Sequence, residues 1–192
     1  MPPITQDLLK PGAESLSAIC IVFGAILLAL GIPALAAPRP IASLWRRFPR
    51  SIWPGRVLAA LALAWSALWL MAMPLGPLMV IRKYMAVLLV VAIAAVWFLC
   101  EELLSCRAVG GLLALSPTLL LSAAQWHPSP LRYIPLIVGY LFAIAGMFVI
   151  AQPYHLRDVL HWCAATPGRT RLGGAVLVLL GVLLLAAATL AK

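Results

Sequence analysis

Six apolar runs, each close to the length needed to cross a bilayer, dominate the sequence, and nearly all charge is held between them. A spanning helix needs about 20 predominantly apolar residues, at 1.5 Å rise each, to cross roughly 30 Å of hydrocarbon. The runs lie at about 17–37, 56–75, 79–100, 108–124, 133–151 and 171–190. Charged residues make up 10% of the chain and apolar residues 65%, whereas soluble domains carry about 25% charged residues. The pattern predicts an all-α, polytopic membrane protein of about six transmembrane helices, forming one integral membrane domain over 1–192.

The formal net charge of +9 sits in short clusters at the ends of the apolar runs. It therefore reports topology and attraction to anionic headgroups, not nucleic-acid binding, for which there is no soluble basic domain. Arg outnumbers Lys 11 to 3, a bias typical of GC-rich bacterial genomes. The connections after the first, third and fifth runs hold nine basic residues: Arg39, Arg46, Arg47, Arg50, Arg56, Arg107, Arg157, Arg169 and Arg171. The opposite side holds five, Lys10, Arg82, Lys83, Arg132 and Lys192. By the positive-inside rule the first set is cytoplasmic and both termini are periplasmic, which places the chain in the bacterial inner membrane. The first run ends in ALAA, like a signal-peptide cleavage site. The preceding MPPITQDLLKPGAES, however, carries two acids and one Lys instead of a positive cluster, so a retained helix is expected.

A shift of 115 residues superposes 24–72 on 139–187 without a gap. Nine of 49 positions are identical, little above what two Leu/Ala-rich segments share, so the weight rests on four punctuating matches. Gly24 falls on Gly139, Gly31 on Gly146, Pro38 on Pro153 and Arg56 on Arg171. In the second helix of each copy Ala59 and Ser66 fall on Gly174 and Gly181. Residues seven apart share a helix face, and small side chains there let membrane helices approach closely. Gly24, Gly31, Gly139, Gly146, Gly174 and Gly181 are therefore candidate packing positions. Each copy reads as a tight helical hairpin. The expected architecture is two parallel hairpin repeats, about 17–75 and 133–190, flanking a central pair at about 79–124.

The connection PRPIASLWRRFPRSIWPGR carries Ile41, Leu44, Trp45 and Phe48 at i, i+3, i+4, i+7, with Arg39, Arg46, Arg47 and Arg50 largely off that stripe. The matching positions in the second copy are Leu156, Val159, Leu160 and Cys163. Such a segment lies in the interface plane as an amphipathic helix. Arg39, Trp45, Arg46, Arg47, Arg50, Arg56, Arg157 and Arg171 are the expected lipid-facing interface residues. The sequence of Gly-rich span, proline, basic amphipathic connection, Arg and second span resembles short two-helix bacterial inner-membrane proteins of unknown function, here in duplicate. That resemblance covers about half the chain and implies no active site to carry over.

The acids are Asp7, Glu14, Glu101, Glu102 and Asp158, all outside the middle of a run, as are His127, His155 and His161. Proton relays and coupled transporters place ionisable groups inside the membrane, and haem needs an axial ligand there. Glu101, Glu102, His155, Asp158, His161 and Cys163 share one side and could hold a metal, but they lack HExxH or CxxC spacing. Pairing of the acids with Arg107, Arg157 or Arg171 is the simpler expectation. No cofactor or metal is expected. Trp53, Trp126 and Trp162 fall with Trp45 near interfaces, while Trp65, Trp69 and Trp97 fall deeper and are expected to contact partners or lipid. The sequence thus predicts a non-catalytic accessory or scaffold subunit that packs against other membrane subunits and lipid. A small transporter with a cavity between repeats, or a membrane-embedded enzyme, are the alternatives.

Overall fold

The computed structural model describes residues 13–72, 84–99, 103–125 and 130–190. Asp7, Lys10, Arg82, Lys83, Cys100, Glu101, Glu102, Trp126, His127 and Lys192 lie outside them. Eight α-helices are described: α1 Ala13–Ala36, α2 Pro38–Arg47, α3 Ile52–Ala72, α4 Met85–Leu99, α5 Leu104–Ala124, α6 Tyr133–Ala151, α7 Pro153–Cys163 and α8 Pro167–Leu190. Short 3₁₀ turns at Phe48–Arg50 and Pro130–Arg132 join α2 to α3 and lead into α6. Among the described residues five helical segments are long and apolar enough to cross a membrane: Leu16–Ala36, Ile52–Met71, Leu104–Ala124, Tyr133–Ala151 and Pro167–Thr189. The chain is a helical, multi-pass membrane protein. Helix α4 is described over 15 residues, part of the expected run at 79–100.

The helices end where local chemistry ends them. Proline opens α2, α7 and α8 at Pro38, Pro153 and Pro167, where its missing N–H falls among donors that have no helical partner anyway. Pro33 and Pro117 lie inside α1 and α5. Helix α5 begins after Leu103, whose φ of 53° is the only positive value at a non-glycine residue among the described residues. Hydroxyls within the spans turn back on their own helix: Ser66, Ser116 and Ser122 donate to the carbonyls of Leu63, Leu113 and Leu119 at 2.8, 2.7 and 3.1 Å. In hydrocarbon an unpaired hydroxyl is costly, and this local bond removes that cost without requiring a partner helix.

Packing departs from the expected hairpins. The most extensive contact is between α1 and α8, followed by α5 with α6 and α3 with α5. A Cβ built on Gly24 would lie 3.0 Å from the Gly181 carbonyl oxygen, and one on Gly31 would lie 2.9 Å from that of Gly174. The glycine faces therefore join α1 to α8 and not to α3. The physical reason lies at the aligned positions. The hairpin partner α3 offers Ala59 and Ser66, each with a Cβ, whereas α8 offers two bare backbones. Gly139 and Gly146 turn to α5: a Cβ at Gly146 would collide with the Ala114 backbone, and one at Gly139 would touch Leu120 and Leu121 at 3.5 Å.

The central pair does not stand between two hairpins either. Helix α5 is the most buried of the five spans and touches α1, α3, α6 and α7, while α4 rests on α3 alone among the substantial helix contacts. The main apolar core joins Leu16, Cys20 and Leu27 of α1 with Leu120 and Ala124 of α5, Val138 of α6, and Leu184 and Ala188 of α8. It fills the end of the bundle that carries the start of α1 and the end of α8. A smaller cluster of Ala59, Leu104 and Ala108 holds α3 on α5 near the other end.

Candidate anionic-headgroup site

The end opposite the main core is built from α2, the turn at Phe48–Arg50, the start of α5 and α7, and it carries every basic residue among the described ones except Arg132. Helix α2 has no fully buried residue, as a surface-lying amphipathic helix requires. Ile41, Trp45 and Phe48 are half-buried against the bundle, while Leu44 is 58% exposed. Helix α7 repeats this: Leu156 and Leu160 are half-buried, Cys163 is buried and Val159 is 56% exposed. On each helix the second residue of the stripe, Leu44 or Val159, is thus turned outward.

Three contacts lock this platform. The Trp45 ring lies over the backbone at Gly173, where a Cβ would sit 3.2 Å from Cη2 and 3.4 Å from the Cys163 sulfur. Arg46 Nη2 donates to the Ala164 carbonyl, linking α2 to the end of α7. Thr170, fully buried, donates to the Cys163 carbonyl at 3.0 Å and stitches α7 to α8. On the α3–α5 side the Ser105 hydroxyl donates to the Ser51 carbonyl at 2.6 Å, and a Cβ at Gly55 would lie 2.9 Å from the Ser105 nitrogen. The sequence had not singled out Thr170, Ser105 or Gly55. Gly55 beside Arg56 was the available signal, since close backbone approach needs a residue without a side chain.

Two clefts open on this end. The first, of about 350 Å³, is lined by Arg39, Ser43, Arg46 and Arg47 of α2 and by Ala164, Ala165 and Pro167 where α8 starts. The second, of about 330 Å³, is lined by Arg50, Ser51, Leu103 and Arg157. Arg157 is engaged with Asp158 at 2.8 Å, whereas Arg39, Arg46, Arg47 and Arg50 form no ion pair among the described residues. Arg56 stands apart: its guanidinium carbon lies 5.8 Å from the Trp97 ring centroid and its buried Nε has no hydrogen-bond partner. Arg171 is exposed on α8. Arg169 covers the Trp162 ring at 4.8 Å.

Trp97 Nε1 donates to the Arg56 carbonyl at 3.2 Å and so ties α4 to α3 near the basic end. It occupies the last turn of α4, and an indole there reaches the first turn of the antiparallel α3. Trp65 and Trp69 are half-buried on α3. Trp53 is 75% exposed at the α3 start, as an interface anchor would be.

His155 stacks on Phe148 at 5.0 Å and meets Tyr154 at 4.3 Å. Burial raises the Cys163 thiol above its ordinary value. Among the described residues no three His, Cys, Asp or Glu side chains gather as a metal site. What the arrangement offers chemically is planar, fork-shaped cation donors aimed at one cleft, the geometry suited to phosphate and carboxylate oxygens. No protein-family model matches this chain, and neither curated proteins nor solved structures include a significantly similar one.

Proposed function

We propose that the chain is a non-catalytic, multi-pass protein of the bacterial inner membrane that acts as an accessory or scaffold subunit, holding anionic lipid at its basic end and packing against other integral membrane subunits. The observation that carries this reading is the platform of α2 and α7, which fixes unpaired arginines in clefts at one end of an otherwise apolar bundle. Outward faces such as Ile137, Tyr140, Ile144 and Met147 of α6, all between 59% and 63% exposed in the single chain, supply the surface for lipid or neighbouring subunits.

The reading includes six spans, cytoplasmic basic connections, periplasmic termini and a duplicated unit of span, interfacial helix and span. The helix boundaries support the duplication: shifted by 115 residues, Ala36, Pro38 and Ile52 fall on Ala151, Pro153 and Pro167, where the corresponding helices end, begin and begin. The transporter alternative, with a cavity between repeats, meets a glycine-on-glycine seam at the α1–α8 contact. The enzyme alternative would draw on Glu101, Glu102 and the histidines; Glu101, Glu102 and His127 lie outside the described residues, and His155 stacks on Phe148.

Mild detergent extraction followed by identification of retained proteins tests the reading directly. The double change Trp65→Ala with Trp69→Ala is expected to weaken co-purification of native subunits, while Glu101→Gln with Glu102→Gln leaves association and activity of the host complex intact. Loss of activity in the glutamate pair, with folding and association unchanged, would overturn the accessory reading in favour of the enzyme or transporter.

A further inference from the structure

We infer that the cleft between α2 and the start of α8 is a saturable site for one phosphate-bearing lipid headgroup, with Arg39 and Arg47 as its ligands and Arg46 as the residue that sets its wall. The inference rests on the membrane reading above and does not require the accessory role.

Four observations combine. The cleft, at about 350 Å³, lies within the range of small-ligand sites, about 300–1,000 Å³. Three guanidinium groups from one short helix line it, and among the described residues none of them forms an ion pair. Mutual repulsion of three like charges is relieved most directly by an anion placed between them. The facing wall is Ala164, Ala165 and Pro167, where α7 ends and α8 starts, and no acidic side chain lines the cleft to neutralise the arginines. The cleft is also pre-shaped: Arg46 is tied to the Ala164 carbonyl and Trp45 is seated on Gly173, so α2 cannot swing away to spread its charges.

The charge balance selects the ligand. A phosphodiester brings one negative charge, and a phosphomonoester close to two. Arg39 and Arg47, two cations in a lining without an acidic residue, fit the more highly charged group, so phosphatidic acid is the preferred headgroup class and phosphatidylglycerol a weaker one. Free phosphate shares the recognition chemistry. The lipid is favoured because apolar surface begins within two turns of the cleft on both adjoining spans, at Ile32 of α1 and Leu172 of α8, 53% and 57% exposed.

The full chain, purified in mild detergent, is titrated with phosphatidic acid, and each bound lipid is counted by native mass spectrometry. Parallel arms use phosphatidylglycerol, phosphatidylcholine and inorganic phosphate as competitor. Expected is one saturable phosphatidic acid, held at least about tenfold more weakly in Arg39→Gln with Arg47→Gln and unchanged in Arg132→Gln at the other end of the bundle. Arg46→Gln is left out of the main test because it removes a packing bond; Arg39→Lys with Arg47→Lys should restore part of the affinity if charge is what binds. Equal retention by wild type and the Arg39/Arg47 variant overturns the site. Non-saturable binding that follows net charge and falls equally in Arg132→Gln also overturns it, while leaving the membrane reading standing. Displacement by micromolar inorganic phosphate transfers the site to a soluble anion and overturns the lipid assignment.

Discussion

Gly24 and Gly181 face each other reciprocally: a Cβ on either would lie 3.0 Å from the carbonyl oxygen of the other. Gly31 and Gly174 repeat the relationship one heptad along, at 2.9 and 3.0 Å. With no hydrophobic force between helices in lipid, this closeness is what lets dispersion and weak Cα–H···O contacts hold the pair. A branched side chain must push the neighbouring backbone away. Gly31→Leu and Gly24→Leu should therefore lower stability by about 1–3 kcal/mol or more, read as a drop in unfolding midpoint in detergent.

The glycines are not equivalent, and their order of sensitivity is predicted. Gly146→Ala should be the most damaging alanine change, because its Cβ collides with the Ala114 backbone, which cannot rotate aside. Gly139→Ala meets only side-chain atoms at 3.5 Å and should be near neutral. Gly168→Ala meets nothing within 4 Å and should stabilise α8 by up to about 1 kcal/mol through helix propensity. Thermal melts of the three variants in one detergent check the ranking.

Ser105 and Thr170 act as stitches at the basic end. Ser105→Ala leaves the Ser51 carbonyl without its donor, and Thr170→Val removes a buried bond to Cys163. Each should cost about 1 kcal/mol. Thr170→Val should also increase protease cleavage at 164–167, whereas Ser105→Ala should not.

Cys163 is predicted to alkylate slowly at neutral pH. Burial lifts its thiol above the ordinary value, so the reactive thiolate is scarce until the pH exceeds that of a free cysteine. Linkage has the matching sign: the native state favours the protonated thiol, so its contribution is full below the unfolded value and is lost as pH rises through the folded one. Peptide mapping after timed alkylation at stepped pH should show Cys163 lagging an unfolded control. Equal rates at every pH would contradict the buried placement.

Topology has its own test. Single cysteines placed between 39 and 50 should resist membrane-impermeant reagents added to the periplasmic face of intact cells and label once the cytoplasmic face is opened. Efficient labelling from outside would reverse the orientation drawn from the nine-to-five basic asymmetry.

Five of the spans and the two short helices α2 and α7 could be read from the sequence because their signals are local. Apolar length marks a span, and the stripe of Ile41, Leu44, Trp45 and Phe48 marks α2 with Pro38 as its start. The small-residue positions were legible as faces, but their partners were not. Spacing shows that Gly24 and Gly31 share a face; which helix that face meets depends on competition among all spans, and Gly174 and Gly181 of α8 offer a closer approach than Ala59 and Ser66 of α3. The arginines were legible as a basic end, yet the division of Arg39, Arg46 and Arg47 into one cleft and Arg50 with Arg157 into another follows from how α2 docks on α8. That docking depends on Trp45 meeting Gly173, a contact between residues 128 positions apart.

The α1–α8 seam also sets a timetable for biogenesis. Synthesis at roughly 5–20 residues per second separates the emergence of Gly24 and Gly181, 157 residues apart, by roughly 8 to 30 seconds. For that interval the first span sits in the bilayer with its bare backbone strip facing lipid or an insertion factor. The ribosome must deliver every segment from α2 to α7 before α1 meets its mate in α8. Closure of this seam is thus a late, post-insertional event that joins α1 to α8. A chain cut within 73–83 after assembly should consequently stay in one piece in mild detergent, since α8 holds α1 and α5 holds α3 without help from the covalent link.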